Sequence, residues 1–410
     1  MNGTATPAGQ KQAIDTIRIL SIDAIQQANS GHPGAPMGAA PMTYALWSGF
    51  LKHAPKRPDW LDRDRFVLSA GHASMLLYSM LHLSGYDLPL EELKRFRQLD
   101  SLTPGHPEFG LTAGVEATTG PLGQGFTNAV GMAIAERRLA AEFNRPGHEI
   151  IDHHTYTLCS DGDLQEGIAS EAASLAGHLR LGKLIALYDD NDIQLDGPTA
   201  MAWSEDVLAR FDAYGWHTQR VTDGEDVVAI TAAIEAARAD ERPSIISVKT
   251  IIGAGAPNKA GTHKVHGAPL GAEEVAATKA ALGFDPEASF EIAPDVLEYF
   301  REAAQNGERL VAEWEHRLDA YGEAFPAEEV ELRRRIDGTL AQGWDADLPW
   351  YTTADDAIAT RNASQNAIAG LKDGVPELLG GSADLSGSNL TDMADGGVFS
   401  ADESGRNIRY

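Results

Sequence analysis

Two short apolar runs that each end in a cluster of acidic residues place the strongest constraint on this chain. YTLC at 156–159 runs into SDGD, and LIALY at 184–188 runs into DDND. A third run, SIISVKTII, lies at 244–252. Helical segments separate these runs, at 166–181, 203–214 and 226–240. This alternation predicts a parallel α/β sheet, with the acidic clusters at its carboxyl edge, where open α/β sheets bind ligands.

The acidic clusters contain a candidate cation and phosphate site. Asp161 and Gly162 follow the first run and Asn191 follows the second, and neighbouring parallel strands bring such positions together. The carboxylate of Asp161, the amide oxygen of Asn191 and the carbonyl of Ile193 suit a hard cation such as Mg²⁺ or Ca²⁺. Gly162 lets a diphosphate approach the backbone, and a helix expected to start near Glu166 would direct its N-terminus at it. Ordinary strand-end turns use the same residue types, so these residues alone leave both interpretations open.

Four of the 13 histidines lie in glycine-rich loops. They are His32 in SGHPGAP, His72 in SAGHAS, His106 in TPGHPE and His266 in KVHGAP. Each one taken singly is more often structural. Together they favour a site for a polyhydroxylated or phosphorylated ligand, which needs hydrogen-bond donors and proton carriers.

Two domains of unequal length are expected. Residues 1–320 hold the predicted sheet, residues 321–350 form a linker, and residues 351–410 begin a second α/β domain. About 60 residues are few for an independent core, so the second domain is expected to be truncated. Within it, Arg361 and Ser388 are a weak candidate pair for a phosphate group, because an Arg on a helix is more often solvated.

Charge and cysteine usage exclude several classes of protein. Lys and Arg total 33 against 60 Asp and Glu, which gives a net charge of −27. Such a surface repels phosphate backbones and anionic headgroups, so we expect neither nucleic acid nor membrane as a partner. The sequence has no apolar stretch of about 18 residues and no signal-peptide pattern. The single cysteine, Cys159, forms no internal disulfide, and we expect a cytoplasmic protein.

Taken together, these motifs resemble those of the transketolase family. The similar segments are NSGHPGAPMG at 29–38, FVLSAGHAS at 66–74, TPGHPE at 103–108, VEATTGPLGQG at 115–125, SDGDLQEG at 160–167, YDDNDIQLDG at 188–197, HGAPLG at 266–271 and GGSADLSGSNL at 380–390. The diphosphate motif of the family usually opens with Gly, where this chain has Ser160. The 1-deoxyxylulose-5-phosphate synthases share that motif, but SGHPGAPMG and HGAPLG resemble transketolase.

The resemblance implies a thiamine-diphosphate-binding fold with a central parallel sheet flanked by helices, followed by a truncated second α/β domain. It implies thiamine diphosphate with Mg²⁺, or with Ca²⁺ or Mn²⁺, in a homodimer whose active sites lie between subunits. The implied activity is reversible transfer of a two-carbon ketol unit from a ketose phosphate such as xylulose 5-phosphate to an aldose phosphate such as ribose 5-phosphate, in the pentose phosphate pathway. Dihydroxyacetone synthase is the alternative enzyme.

The resemblance also implies a role for each matching residue. The implied metal ligands are Asp161, Asn191 and the Ile193 carbonyl. The implied cofactor contacts are His72, Gly120, Pro121, Leu122, Gly162, Asn191, His266 and Asp384. The implied catalytic residues are His32, His106 and His266, and the implied substrate contacts are His32, His266, Arg361 and Ser388.

One expected catalytic group is missing from the sequence. In this family, the glutamate that activates the aminopyrimidine ring of the cofactor follows a segment similar to GRNIRY, and this sequence ends with that segment at Tyr410. We therefore expect the isolated chain to be inactive. A catalytically incomplete fragment that binds cofactor or dimerises is the non-enzymatic alternative.

Overall fold

The computed structural model describes residues 6–410, which divide into two compact units. The first unit comprises the described residues up to Ile134 together with His153–Glu313, and the second comprises Ala135–Asp152 and Trp314–Tyr410. Residues 321–350, expected as a linker, lie within the second unit and are partly helical. The limits of the cofactor-binding domains stay a prediction.

The helices and strands alternate through most of the first unit. The helices are α1 (Pro7–Ala28), α2 (Gly34–Gly49), α3 (Ser74–Ser84), α4 (Leu90–Lys94), α5 (Gln124–Phe143), α6 (Asp161–Gln165), α7 (Gly167–His178), α8 (Val207–Ala213), α9 (Val227–Ala239), α10 (Ala272–Leu282), α11 (Pro294–Ala324), α12 (Pro326–Ile336), α13 (Thr360–Leu371) and α14 (Ser386–Asn389). The strands are β1 (Arg65–Leu68), β2 (Thr155–Ser160), β3 (Leu184–Asp190), β4 (Ile193–Gln194), β5 (Gly197–Pro198), β6 (His217–Val221), β7 (Ser244–Lys249), β8 (Gly380–Ser382), β9 (Val398–Phe399) and β10 (Asn407–Arg409).

A five-stranded parallel sheet forms the centre of the first unit, in the order β1-β2-β3-β7-β6. The three predicted strands are β2, β3 and β7, which lie inside the sheet and are almost wholly buried. The sequence analysis did not identify β1 and β6, which are the edge strands. Ser160 of β2 pairs in register with Asp189 of β3, so the acidic clusters after the two strands lie side by side. The predicted α/β class with a central parallel sheet is confirmed.

Helices α1, α2, α3 and α9 share a hydrophobic core with one face of this sheet. Among the core residues are Ile17, Leu46, Leu77, Ile234, Leu158, Leu187 and Ile246. Alternate residues of a strand point to opposite faces, so Cys159 points away from the face of Leu158 and is also fully buried. Burial of each large aliphatic side chain stabilises the fold by about 1.5–3 kcal/mol, which holds the carboxyl edge of the sheet in place.

The second unit contains a parallel sheet of its own, in the order β8-β10-β9. The guanidinium of Arg406 ties this sheet to the preceding loop by donating to the carbonyls of Lys372, Val375 and Leu378. A second α/β unit is therefore present. None of the helices within residues 6–410 combines the length and the apolar character needed to cross a membrane.

Candidate active site

A cavity of about 460 Å³ opens at the carboxyl edge of the five-stranded sheet. Most of the residues predicted for the site in the first unit line it: His32, His72, Gly120, Leu122, Asp161, Gly162, Asn191, Ile193 and His266. Pro121 lies between two lining residues but is exposed. The structure thus brings together residues from six separate motifs of the sequence.

Asp161 carries an oxygen with the properties expected of a metal ligand. Its Oδ1 accepts a hydrogen bond from the hydroxyl of Tyr188, while its Oδ2 is buried without a hydrogen-bond partner. Burial raises the pKa of Asp161 to about 7; the Tyr188 hydrogen bond opposes this rise, and nearby carboxylates such as Asp189 add to it. A bound cation would satisfy Oδ2 and offset the crowding of negative charge.

Asn191 and Ile193 form a tight turn beside this carboxylate. The Asn191 Oδ1 accepts a hydrogen bond from the backbone nitrogen of Ile193 at 2.9 Å, and its Nδ2 donates to Asp189 Oδ2 at 2.9 Å. These bonds fix the amide with its oxygen at the turn, and a carbonyl-type oxygen has a second lone pair for a cation. Across residues 6–410, no cluster of three or more His, Cys, Asp or Glu suited to metal binding occurs. A cation here therefore needs amide and carbonyl oxygens, which is the predicted donor set of a hard ion.

Three of the four loop histidines form a cluster above the acidic edge. The ring centroids of His32 and His72 are 5.1 Å apart, and those of His72 and His266 are 5.2 Å apart with the planes at 16°. The His32 and His266 rings are 6.0 Å apart. The Nδ1 of His266 is buried without a hydrogen-bond partner, so it is free to meet a ligand.

Burial keeps these imidazoles neutral. It lowers the pKa of His32 to about 4 and that of His72 to about 3, and it lowers the pKa of His266 as well. The charge of Arg97 lowers the pKa of His32 further, and its Nη2 lies 3.4 Å from His32 Nδ1. A neutral imidazole has one ring nitrogen that donates a hydrogen bond and one that accepts, so the cluster can do both toward a ligand.

Two glycines of the cavity wall allow their neighbours to pack closely. Gly120 has φ +151°, and a Cβ there would lie 3.3 Å from His106, the fourth predicted histidine, which is not among the residues that line the cavity. A Cβ on Gly162 would lie 2.8 Å from the Cδ1 of Leu122. Both glycines line the cavity, so neither backbone segment places a side chain there.

A helix begins at the predicted place beside the diphosphate motif, and a short helix precedes it. Helix α7 starts at Gly167 with Glu166 as its N-cap, which confirms the expected start near Glu166. The sequence analysis did not identify α6, which starts at Asp161 directly after β2. Ser160 caps α6, and Asp163 completes a capping box with it.

The remaining predicted residues lie in the second unit. Arg361 is exposed and donates to the backbone carbonyl of Ser388 at 3.4 Å, so the two residues are neighbours. Asp384 is exposed and adopts a left-handed backbone conformation with φ +58°. Their roles toward cofactor and substrate stay predictions.

Several residues that shape the site were not identified by the sequence analysis. Tyr188 and Asp189 lie within the YDDND motif, yet their contacts with Asp161 and Asn191 depend on the pairing of β2 with β3. Arg97 is not marked by any motif. Only Asp163 had a usable signal, the Ser-x-x-Asp spacing of a capping box from Ser160.

A parallel sheet whose carboxyl edge carries the diphosphate motif beside a cluster of imidazoles is typical of a cofactor-binding α/β protein. The family model described as "Transketolase, thiamine diphosphate binding domain" matches residues 9–341, and the chain belongs to this family. The predicted family resemblance is confirmed.

Curated relatives and solved structures agree with this assignment. The transketolase of Geobacillus stearothermophilus is 57% identical over 404 residues, covering 98% of this chain and 60% of the relative. Transketolase 1 of Escherichia coli K12 is 53% identical, with 98% and 61% covered. Among structures, a Pichia stipitis transketolase in complex with sedoheptulose 7-phosphate has a TM-score of 0.95 at 47% identity, with 98% of this chain and 60% of that chain covered. The Leishmania mexicana transketolase also gives 0.95 at 47% identity, with 99% and 60% covered. The chain thus spans about 60% of the length of these relatives.

Proposed function

We propose that the chain forms the diphosphate-binding part of a transketolase. The whole protein would transfer a two-carbon ketol unit from a ketose phosphate such as xylulose 5-phosphate to an aldose phosphate such as ribose 5-phosphate, in the pentose phosphate pathway. The observation that carries this proposal is the buried, partnerless Oδ2 of Asp161, a residue that lines the same cavity as Asn191 and three neutral imidazoles. The names of the relatives support the same reaction.

The acidic edge would hold the metal and the diphosphate. Asp161, Asn191 and the carbonyl of Ile193 are the proposed ligands of Mg²⁺, with Ca²⁺ or Mn²⁺ as substitutes. Thiamine diphosphate, when bound, supplies the carbanion stabilisation that lets a carbon–carbon bond break and form. His72 and Gly162 are proposed to contact the diphosphate.

The loop Gly120–Pro121–Leu122 is proposed to lie along the rings of the cofactor. Gly120 and Leu122 line the cavity, which supports this role for two of the three residues. A Cβ on Gly120 would lie 3.3 Å from His106, so the loop packs against an imidazole that is proposed to be catalytic.

The imidazoles would handle the protons of the sugar. His32, His106 and His266 are proposed to accept and return hydroxyl protons and to donate hydrogen bonds to a developing alkoxide. The lowered pKa of His32 keeps its ring neutral at pH 7, so that one ring nitrogen can donate a hydrogen bond and the other can accept one.

Further roles are proposed for residues of the second unit and for a partner subunit. Arg361 and Ser388 are proposed to bind the phosphate of the substrate, Asp384 to lie near the cofactor, and the protein to be a cytoplasmic homodimer with active sites between subunits. The proximity of Arg361 to Ser388 supports the first of these roles. Two-fold dimers are also the commonest soluble assemblies.

Cofactor binding and turnover test the proposal in one preparation. The purified chain is titrated with thiamine diphosphate in the presence and absence of Mg²⁺ by calorimetry, and then given xylulose 5-phosphate with ribose 5-phosphate. We expect binding that requires the metal, with no sedoheptulose 7-phosphate from this chain by itself. Absence of metal-dependent binding would overturn the proposal. Turnover would overturn the expected inactivity, and a preference for formaldehyde as the acceptor would point to dihydroxyacetone synthase.

A further inference from the structure

A buried carboxylate outside the proposed ligand set joins three segments of the first unit. Asp163 is fully buried, and its two oxygens accept four hydrogen bonds. Oδ1 accepts from the Ser69 hydroxyl at 2.7 Å and from the backbone nitrogen of Gly123 at 2.8 Å. Oδ2 accepts from the backbone nitrogen of Ser160 at 2.9 Å and from its hydroxyl at 3.1 Å.

Each partner of Asp163 belongs to a different segment beside the cavity. Ser69 follows β1 and leads to His72, Gly123 follows the Gly120–Leu122 loop, and Ser160 precedes Asp161. The single carboxylate therefore fixes the positions of these three segments relative to one another. Asp163 itself does not line the cavity, so it acts only through these partners.

The network continues from Ser69 into the start of helix α5. The Ser69 hydroxyl accepts a hydrogen bond from the backbone nitrogen of Phe126 at 2.9 Å. The backbones meet closely here, since a Cβ on Gly125 would lie 2.5 Å from the Cα of Ser69. A shift of Ser69 would consequently be transmitted to the loop that ends at Gly123.

Hydrogen-bond chemistry explains why a carboxylate is needed at this position. All four groups around Asp163 donate, and an ionised carboxylate offers only acceptors. An Asn side chain has nearly the same shape but replaces one oxygen with an NH₂ group, which would face donors. Asn would therefore break the link to one segment while leaving the side-chain volume unchanged.

We propose that Asp163 is a positioning residue for bound thiamine diphosphate, setting the Gly120–Leu122 loop at the correct distance from Asp161 and Gly162. This inference rests on the proposed function, in which the loop lies along the rings and the β2 end holds the diphosphate. A residue that only caps the five-residue helix α6 would stabilise the fold without changing which part of the cofactor is recognised.

The ratio of two dissociation constants separates these roles. Asp163→Asn is titrated with thiamine diphosphate and with inorganic diphosphate, each with Mg²⁺. We expect the dissociation constant for thiamine diphosphate to rise about tenfold or more, and that for inorganic diphosphate to rise about twofold. Only thiamine diphosphate needs the Gly120–Leu122 loop to be correctly placed relative to the end of β2. Hydrogen exchange at the Gly123 amide should also become faster.

Matched variants keep the test decisive. Asp226→Asn alters another helix cap, whose carboxylate accepts from Ala229 at 3.0 Å, and should leave the ratio unchanged. If Asp163→Asn does not fold, Ser69→Ala carries the same test, since it removes one donor and leaves the carboxylate in place. Failure of the wild-type chain to bind thiamine diphosphate would overturn the proposed function and this inference with it. Wild-type binding with an unchanged ratio in the folded variant would overturn the positioning role alone.

Discussion

The hydroxyl of Tyr188 donates a hydrogen bond to Oδ1 of Asp161, a residue that lines the cavity, and the other oxygen of that carboxylate is buried without a hydrogen-bond partner. Tyr188 lies on β3 and Asp161 directly follows β2, so the contact exists only because these strands pair in parallel. The hydroxyl thereby orients a proposed metal ligand from the neighbouring strand. Such outer partners commonly determine how well a site binds its metal.

Removing this hydroxyl should weaken metal binding. We expect Tyr188→Phe to lower the affinity for Mn²⁺ by about tenfold, because the Asp161 carboxylate loses its orienting donor. Free Mn²⁺ is measured by electron paramagnetic resonance in the presence of inorganic diphosphate. Tyr156→Phe is the matched control: that hydroxyl accepts from Arg238 at 2.8 Å and does not line the cavity. An unchanged Mn²⁺ affinity in Tyr188→Phe would contradict the orienting role of the Tyr188 hydroxyl.

A methyl group at Gly162 should weaken binding of thiamine diphosphate while lowering the free energy of unfolding only a little. The added Cβ would lie 2.8 Å from the end of the flexible Leu122 side chain, which can move at little cost to the fold. Gly162 and Leu122 both line the cavity, so the methyl group and the displaced Leu122 side chain would narrow the space proposed for the diphosphate. We expect Gly162→Ala to weaken thiamine diphosphate binding by about tenfold or more, equivalent to ~1.4 kcal/mol, in calorimetric titrations.

Gly167→Ala is the control for this substitution, because a Cβ there would meet nothing within 4 Å. It should bind thiamine diphosphate as the wild type does. Equal losses of affinity in the two variants would show that the space above Gly162 is not where the diphosphate lies.

Buried histidine should make the fold sensitive to mild acid. His53 is 4% exposed, and burial lowers its pKa from 6.5 to about 4. Between these values the unfolded chain binds a proton that the folded chain does not, so stability is complete above pH 6.5 and falls as the pH is lowered toward 4. We expect this residue to account for a loss of about 3 kcal/mol across that range.

The contribution of His53 is measured by urea unfolding of His53→Phe and wild type at several pH values. The variant should lose less stability on acidification, even where it is less stable at neutral pH. Trp47→Phe alters a ring that contacts His53 at a centroid distance of 5.3 Å without removing a titratable group. It should therefore keep the wild-type pH dependence, and parallel curves for all three proteins would refute the assignment.

Replacing only one partner of the buried ion pair between Asp23 and Lys279 should lower the free energy of unfolding markedly. The Lys279 Nζ lies 2.5 Å from Asp23 Oδ1, and both side chains are 2% exposed. Lys279→Met leaves a buried, unpaired carboxylate, and we expect the free energy of unfolding to fall by about 3–5 kcal/mol. Adding Asp23→Leu should restore part of this loss, as measured by chemical denaturation. Arg309→Met, at an exposed pair with Glu313, should cost less than about 1 kcal/mol.

The central strands and the carboxyl edge could be predicted because burial on both faces leaves a clear apolar signal. The five residues of β6 could not, since only Val221 of this edge strand is buried and its composition is mixed. β1 is four residues long, too short to show a period. Position in the sheet thus decided which strands the sequence revealed.

The candidate site divides in the same way between local and long-range information. Glycine neighbours marked His32, His72 and His266 correctly as residues of one cavity. The contacts of Tyr188 and of Asp163 join residues far apart in the chain, and their side chains are ordinary for strand ends and caps. Such contacts depend on which strands pair, and local sequence patterns do not reveal that pairing.

The burial of Cys159 in β2 makes its thiol a probe for the separation of this strand from its neighbours. Its sulfur is fully buried, and burial raises the pKa of the thiol well above its usual value, so the native chain presents no reactive thiolate. A thiol reagent can therefore modify this residue only when β2 separates from its neighbours. Because the chain has one cysteine, the rate of labelling measures how often β2, the strand that ends next to Asp161, opens. Ligands that tighten the carboxyl edge would slow this labelling, and the measurement needs no engineered cysteine.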